Sequence, residues 1–407
     1  MTSQARAWLV VAAATGLNIL TGILYIWSIL SNAMITELHW TSKQASLPYT
    51  TATVSFVIFM MIFGRLQDTR GPRFTATFSA LLMGIGFVLS GLLLDPLLTI
   101  ITFGVIAGGG IGTGSISTMP PALKWFPPER KGQITGIVVA GVGLSSVIFA
   151  PLANALLHAV GISMTFVYCG IGLLVAGLLF AALLCNPPVE HRVSSPGQER
   201  PTVAPAPARE LGPGEMLRTA GFYKLWLMLA FSSSAGLMII GHAASIARTQ
   251  VGWEGGFLLV VLLAVFNALG RFLAGAVSDK IGRINTLRVI FSLQAVNMLL
   301  FNSYGSVPLL AMGVAVAGLS YGSIFSVYPA LTSDLYGLKN MGANYSIIFT
   351  AYAAGGIIGP MAAAAVYDAT GAYGAAYWIA CLLLVVSVLV TLTFRTPAQV
   401  QKGSPVR

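Results

Sequence analysis

Arg271 is the residue in this chain whose type and position most demand a chemical account. It stands inside the apolar run from Gly255 to Ser278, GGFLLVVLLAVFNALGRFLAGAVS. A helix of roughly 20 apolar residues crosses the hydrocarbon core of a bilayer. An arginine near its middle costs about 2.5–3.5 kcal/mol on insertion scales. A planar guanidinium holds a carboxylate through two parallel hydrogen bonds, which are strong in a low-dielectric site. Asn267, one turn earlier on the same helix face, can orient either partner. Such an arginine can also snorkel to the interface or pair with a carboxylate on another helix. The other apolar segments offer no carboxylate at mid-depth, so a watery cavity or a bound anion is the reading carried forward.

Other segments supply side chains that suit the same cavity. Tyr321, Phe325 and Tyr328 recur at i, i+4, i+7, as do Tyr345, Phe349 and Tyr352. Aromatic stripes at helical spacing serve packing more often than binding, but tyrosine joins apolar bulk to a hydroxyl and suits both. Near the start, Asn18, Thr21, Gly22, Tyr25 and Ser28 make a polar helix face that would line a path. Ser115 or Met119, and Ser145 or Ser146, are weaker candidates. The expected binding set is therefore Arg271, Asn267, Tyr328, Phe325, Tyr352 and Tyr25. His242 is the only histidine well inside an apolar segment. A hydrogen-bonded packing role and a proton-linked role are both open to it.

The elements that must position these residues follow from composition. Of 407 residues, 56% are hydrophobic and only 8% charged, with mean hydropathy +0.83. Soluble domains carry about 25% charged residues. The apolar runs are continuous rather than alternating, so the expected fold is all-α and membrane-spanning, not a barrel. Twelve helices are predicted near 8–30, 45–66, 75–94, 97–122, 132–156, 162–184, 222–246, 256–277, 287–304, 307–333, 344–366 and 371–394. A Pro- and charge-rich break at 186–221 reads as a mobile linker. It separates an N-terminal six-helix bundle, 1–185, from a C-terminal one, 222–407. With both termini cytoplasmic, only Lys43 and Arg248 fall in outer loops, and the other loop bases lie inside, as the positive-inside rule expects. The net charge of +10 thus reports orientation and lipid contact, not nucleic acid. Cys169, Cys185 and Cys381 are scattered, and no metal, cofactor or disulfide framework is readable.

One string occurs twice. Gly64-RLQ-Asp68-TR-Gly71-Pro-Arg73 follows the second span, and Gly275-AVS-Asp279-KI-Gly282-Arg283 follows the eighth, 211 residues later. Glycine permits a tight turn and close helix approach. Asp can accept hydrogen bonds from a helix N-terminus, and the bases can pair across the halves. Such a pair would latch one conformation shut. In the first copy Thr69 and Pro72 replace bases, which weakens its charge network.

This string resembles the loop motif of the major facilitator superfamily, and the resemblance covers the twelve-span layout. Trp125-Phe126 through Glu129-Arg130-Lys131-Gly132, with Gly136 and Gly141, looks like the monocarboxylate transporter family and its bacterial L-lactate/proton symporters. Phe266 to Arg271 running into Ser278 to Arg283, together with Gly214 to Thr219, Ser333 to Gly337 and Asn344-Tyr345, looks like the oxalate/formate exchangers. In both groups the arginine of the eighth helix is the substrate-carboxylate site, a role the resemblance implies for Arg271. Asn267 replaces the aspartate common one turn before it in monocarboxylate carriers. Tyr352 stands where the oxalate exchangers have a lysine. One buried cation matches one carboxylate. The expectation is therefore a non-enzymatic inner-membrane symporter of a proton with a small monocarboxylate of the L-lactate or pyruvate type. The substrate carboxylate beside Arg271 would itself carry the proton coupling. An organic-anion exchanger of the oxalate/formate type, and a carboxylate-sensing receptor that transports nothing, are the alternatives.

Overall fold

The computed structural model describes residues 3–188 and 210–394, and these are entirely helical apart from turns. The helices are α1 Ser3–Glu37, α2 Ser42–Arg70, α3 Pro72–Leu92 and α4 Pro96–Lys124. A continuous stretch, Lys131–Leu183, is divided at Gly161 into α5 (131–160) and α6 (162–183). The second half holds α7 Ala220–Val251, α8 Phe257–Ile281, α9 Arg283–Phe301, α10 Val307–Tyr336, α11 Met341–Thr370 and α12 Gly374–Leu392. Gly161 has φ 76° and ψ 178° with open space where a Cβ would stand, so the chain reverses there on one residue. Among the described residues, eleven continuous helical stretches are long and apolar enough to span a bilayer, and the longest, Pro128–Leu183, holds both α5 and α6. In lipid each backbone N–H and C=O must be bonded within its own segment, which is why helices form. Their outward faces carry exposed Leu179, Met361 and Leu382, as a lipid-facing surface requires.

The sequence duplication extends into the packing. Gly112 of α4 rests on the backbone of Phe56 in α2, and Gly322 of α10 rests on that of Asn267 in α8. One turn earlier, Gly108 meets Ala52 and Gly318 meets Leu263. A Cβ at any of the four glycines would collide with backbone or Cβ atoms of the facing helix. The two halves therefore share one helix-packing plan, with an offset of 211 residues for α2 and α8 and 210 for α4 and α10.

Two expectations change. α2 and α8 run further than 45–66 and 256–277, so Asp68 and Asp279 project from a last helical turn rather than from a loop. The linker expected over 186–221 lies partly outside the described residues, but its described end is pinned. Glu210 Oε2 accepts from the Lys339 backbone N–H at 2.8 Å. The Leu211 carbonyl accepts from Asn344 Nδ2 at 2.9 Å. The chain then makes a short helical turn, Pro213–Leu217, before α7 begins at Ala220. Helix α1 tightens to a 3₁₀ turn over Gly22–Ile26. Gly22, at the start of this turn, lets α1 lie against α5, where a Cβ would strike the side chain of Ser145.

Candidate functional site

A cavity of about 120 Å³ lies between the halves. α1, α2, α4 and α5 line it from the first half, and α8, α10 and α11 from the second. Drug-sized ligands occupy roughly 300–1,000 Å³, so this space suits a solute of a few heavy atoms. A second cavity shares Leu24, Tyr25 and Tyr49 with it and continues to Ile35 and Ala45. The site is thereby reached from the far ends of α1 and α2.

Arg271 is 3% exposed and lines the cavity. Its Nε donates to Asn267 Oδ1 at 2.9 Å. Its Nη1 donates across to the Val139 carbonyl of α5 at 3.1 Å. The guanidinium carbon sits 5.0 Å from the centroid of Phe325, within cation–π range. Among the described residues it has no carboxylate partner. A guanidinium has five N–H donors, so three remain for a ligand. Asn18 of α1 steadies the same stretch of α5, donating to the Val138 carbonyl at 3.1 Å and to Thr118 of α4 at 3.1 Å. Two adjacent carbonyls of α5 are therefore held, one by each half.

The predicted residues divide. Arg271, Phe325, Tyr352 and Tyr25 all line the cavity. The Tyr321 hydroxyl donates to that of Tyr352 at 3.3 Å. Asn267 is buried behind Arg271 and positions it, without reaching the cavity wall. Tyr328 does not belong to the wall. Two turns beyond Tyr321, it is buried against α7 with its hydroxyl donating to the Leu225 carbonyl at 3.3 Å. His242 also lies elsewhere, with Nδ1 3.1 Å from the Met238 carbonyl and its ring beside Tyr373. Ser115 and Met119 line the wall, whereas the Ser145 hydroxyl turns back to the Val142 carbonyl. Sequence reading missed the α2 wall, Tyr49, Thr53, Phe56 and Met60. Their i, i+4, i+7, i+11 spacing is the signal that would have found it.

At the end of the array away from the mouth, both repeat aspartates cap a helix of the opposite half. Asp68 accepts from the backbone N–H of Gly342 at 2.9 Å and Ala343 at 2.8 Å, in the first turn of α11. Asp279 accepts from Gly132 at 2.8 Å and Gln133 at 2.6 Å, in the first turn of α5. The glycines beside them close the gap. Gly64 lies on Gly342 and Gly275 on Gly132, backbone to backbone. Gly71 and Gly282 turn the chain at φ 84° and 88°. The charges differ between copies. Arg283 pairs with Asp279 and with Asp334 at 3.2 Å, and Lys131 reaches Asp334 at 3.0 Å. Arg73 takes no part in its copy. It is displaced by one position, where Pro72 occupies the place matching Arg283, and its Nε donates to the Leu184 carbonyl at 3.0 Å.

Among the described residues, spanning helices in two matching halves around a cavity that holds the buried Arg271 define a multi-pass membrane protein with the architecture of a secondary transporter. The chain belongs to the Major Facilitator Superfamily, whose family model matches residues 9–301 and 238–407. It is 28% identical to an uncharacterized MFS-type transporter, YhjX, of Escherichia coli over 87% of each chain. It is 26% identical to the oxalate:formate antiporter of Oxalobacter formigenes, covering 99% of this chain and 93% of that one. Among solved structures, it resembles the transporter FucP in the outward conformation, with TM-score 0.74, 15% identity and coverage of 95% and 99%. Family and fold are those of transporters, not enzymes.

Proposed function

We propose that this protein carries small carboxylate anions across the membrane by alternating access, with Arg271 as the carboxylate site, and that it works as an exchanger. The carrying observation is a buried arginine with three free N–H groups and no carboxylate partner among the described residues. An occluded state must strip water from that charge, at an effective cost of several kcal/mol. A bound carboxylate neutralises it through charge-assisted hydrogen bonds of about 1.5–3 kcal/mol each. The loaded carrier therefore passes through occlusion more readily than the empty one, which is the physical requirement for exchange. A proton cannot neutralise a guanidinium, and among the described residues no Asp, Glu or His lines the cavity. The similarity to the oxalate:formate antiporter supports the same mode.

The number of carboxylates is a second question. The first half lines the cavity with apolar Met60, Ile111 and Val142 and with neutral polar Asn18, Thr21, Thr53 and Ser115. With no second cation among the described lining residues, one buried charge favours a monocarboxylate of the L-lactate or pyruvate type over a dianion. Proton-coupled symport of such an acid is the second reading. The proton would then travel with the substrate, since His242 is remote from the site. The caps at Asp68 and Asp279 would hold the closed face, cytoplasmic by the positive-inside reading, and release it when the halves rock.

The test is flux in proteoliposomes with labelled L-lactate, formate and oxalate, for wild type and Arg271→Ala. Exchange predicts counterflow without a proton gradient that is lost at least a hundredfold in the variant. Gradient-driven net uptake of L-lactate with no counterflow in its absence would favour symport. Binding without flux of any kind would return the receptor reading.

A further inference from the structure

We propose that a basic pocket at the α2–α3 turn binds the headgroup of an anionic phospholipid. The pocket is about 240 Å³ and is lined by Arg6, Arg70 and Arg73, with Gly71 and Asn186. It joins the start of α1, the α2–α3 turn and the end of α6, remote from the carboxylate cavity. The positive-inside rule explains basic residues at this end, but not their gathering round one hollow. Among the described residues none of the three arginines has an ion-pair partner. Arg73 is held in place by its bond to the Leu184 carbonyl. Helix α3 starts beside the pocket, and no side chain caps its N-terminus. Its first amides and its dipole add to the positive potential.

A second feature separates a lipid from free phosphate. Arg70 lies over the ring of Phe74 at 5.1 Å. Phe74 stacks on Phe78 at 6.2 Å, and Phe78 meets Phe63 at 5.1 Å. Phe74 and Phe78 are 37% and 38% exposed. Phe74 and Phe78 carry this aromatic track from the arginines down the exposed face of α3, and Phe63 of α2 backs it from the buried side. A headgroup phosphate in the hollow would lay an acyl chain along it. Inorganic phosphate would use the arginines alone. Basic pockets between spanning helices on the cytoplasmic side suit such headgroups.

The experiment counts phosphatidylglycerol retained by the full-length protein after extraction from mixed phosphatidylcholine/phosphatidylglycerol vesicles, by native mass spectrometry. Wild type should retain it in preference to phosphatidylcholine. Arg6→Gln and Arg70→Gln should each lower retention about fivefold, and the pair together more. Arg73 is left intact because it also ties α3 to α6. Arg218→Gln removes an exposed charge elsewhere at the same end of the array and should leave retention unchanged, as should added inorganic phosphate. Thermal unfolding in detergent confirms that the variants are folded. Equal retention of the two lipids by wild type, undiminished retention in the double variant, an equal fall in Arg218→Gln or displacement by phosphate would each overturn the proposal.

Discussion

The two halves share a helix-packing plan but build opposite walls. At matching depth, the first half offers Met60, Ile111, Ser115, Val139 and Val142 where the second offers Arg271, Tyr321, Phe325, Phe349 and Tyr352. The correspondence follows the offsets set by the mirrored glycine contacts, so it concerns geometry as well as sequence. All ten side chains line the cavity. Asn267, which positions Arg271, is matched by Phe56. Duplication thus supplies matched caps and helix contacts, while the charged lining residue among those described comes from the second half.

The sharpest way to break this comparison is to erase the difference. Arg271→Met gives both halves the same residue and should abolish carboxylate counterflow, with a loss of two orders of magnitude or more. The converse change sharpens it. Met60→Arg places a second cation at the mirrored position, opposite the first. Oxalate should then compete with a monocarboxylate about tenfold better than in wild type, read as the inhibition constant in counterflow. An unchanged oxalate preference would mean that positions 60 and 271 are not equivalent across the cavity. The smallest effect concerns the caps. Both aspartates make two amide bonds, but Asp279 also anchors Arg283. Asp279→Ala should shift the population towards opening of the capped face about threefold more than Asp68→Ala does, measured by pulsed electron paramagnetic resonance distances across that face. Equal shifts would show that the added charges contribute nothing beyond the amide caps.

Much of this was legible in the sequence because lipid imposes simple rules. Continuous apolar runs marked the spans, and a lone arginine inside one, with no carboxylate at its depth, stood out as a candidate for a ligand site. The duplicated glycine–aspartate string announced the symmetry. What stayed hidden was relational. The partners of Asp68 and Asp279 are backbone amides of Gly342, Ala343, Gly132 and Gln133, and a backbone donor leaves no residue signature. Tyr328 shared a helical face with Tyr321 and was read with it, yet two turns of rise carry it past the cavity into packing on α7. The α2 wall was overlooked because Phe56 and Met60 look like ordinary lipid-facing residues. The aromatic track below Arg70 escaped for the same reason: periodicity shows that a face exists, not what it faces.

The capped helix starts carry one more consequence. Four amide donors and two carboxylates satisfy each other only while that face is shut. Parting the halves would strand all of them at once, and water at that end of the helix array would have to replace those bonds. Breaking the seal is therefore a hydration event. On the alternating-access reading, the two faces of the protein would differ by how they are wetted as well as by how they are packed.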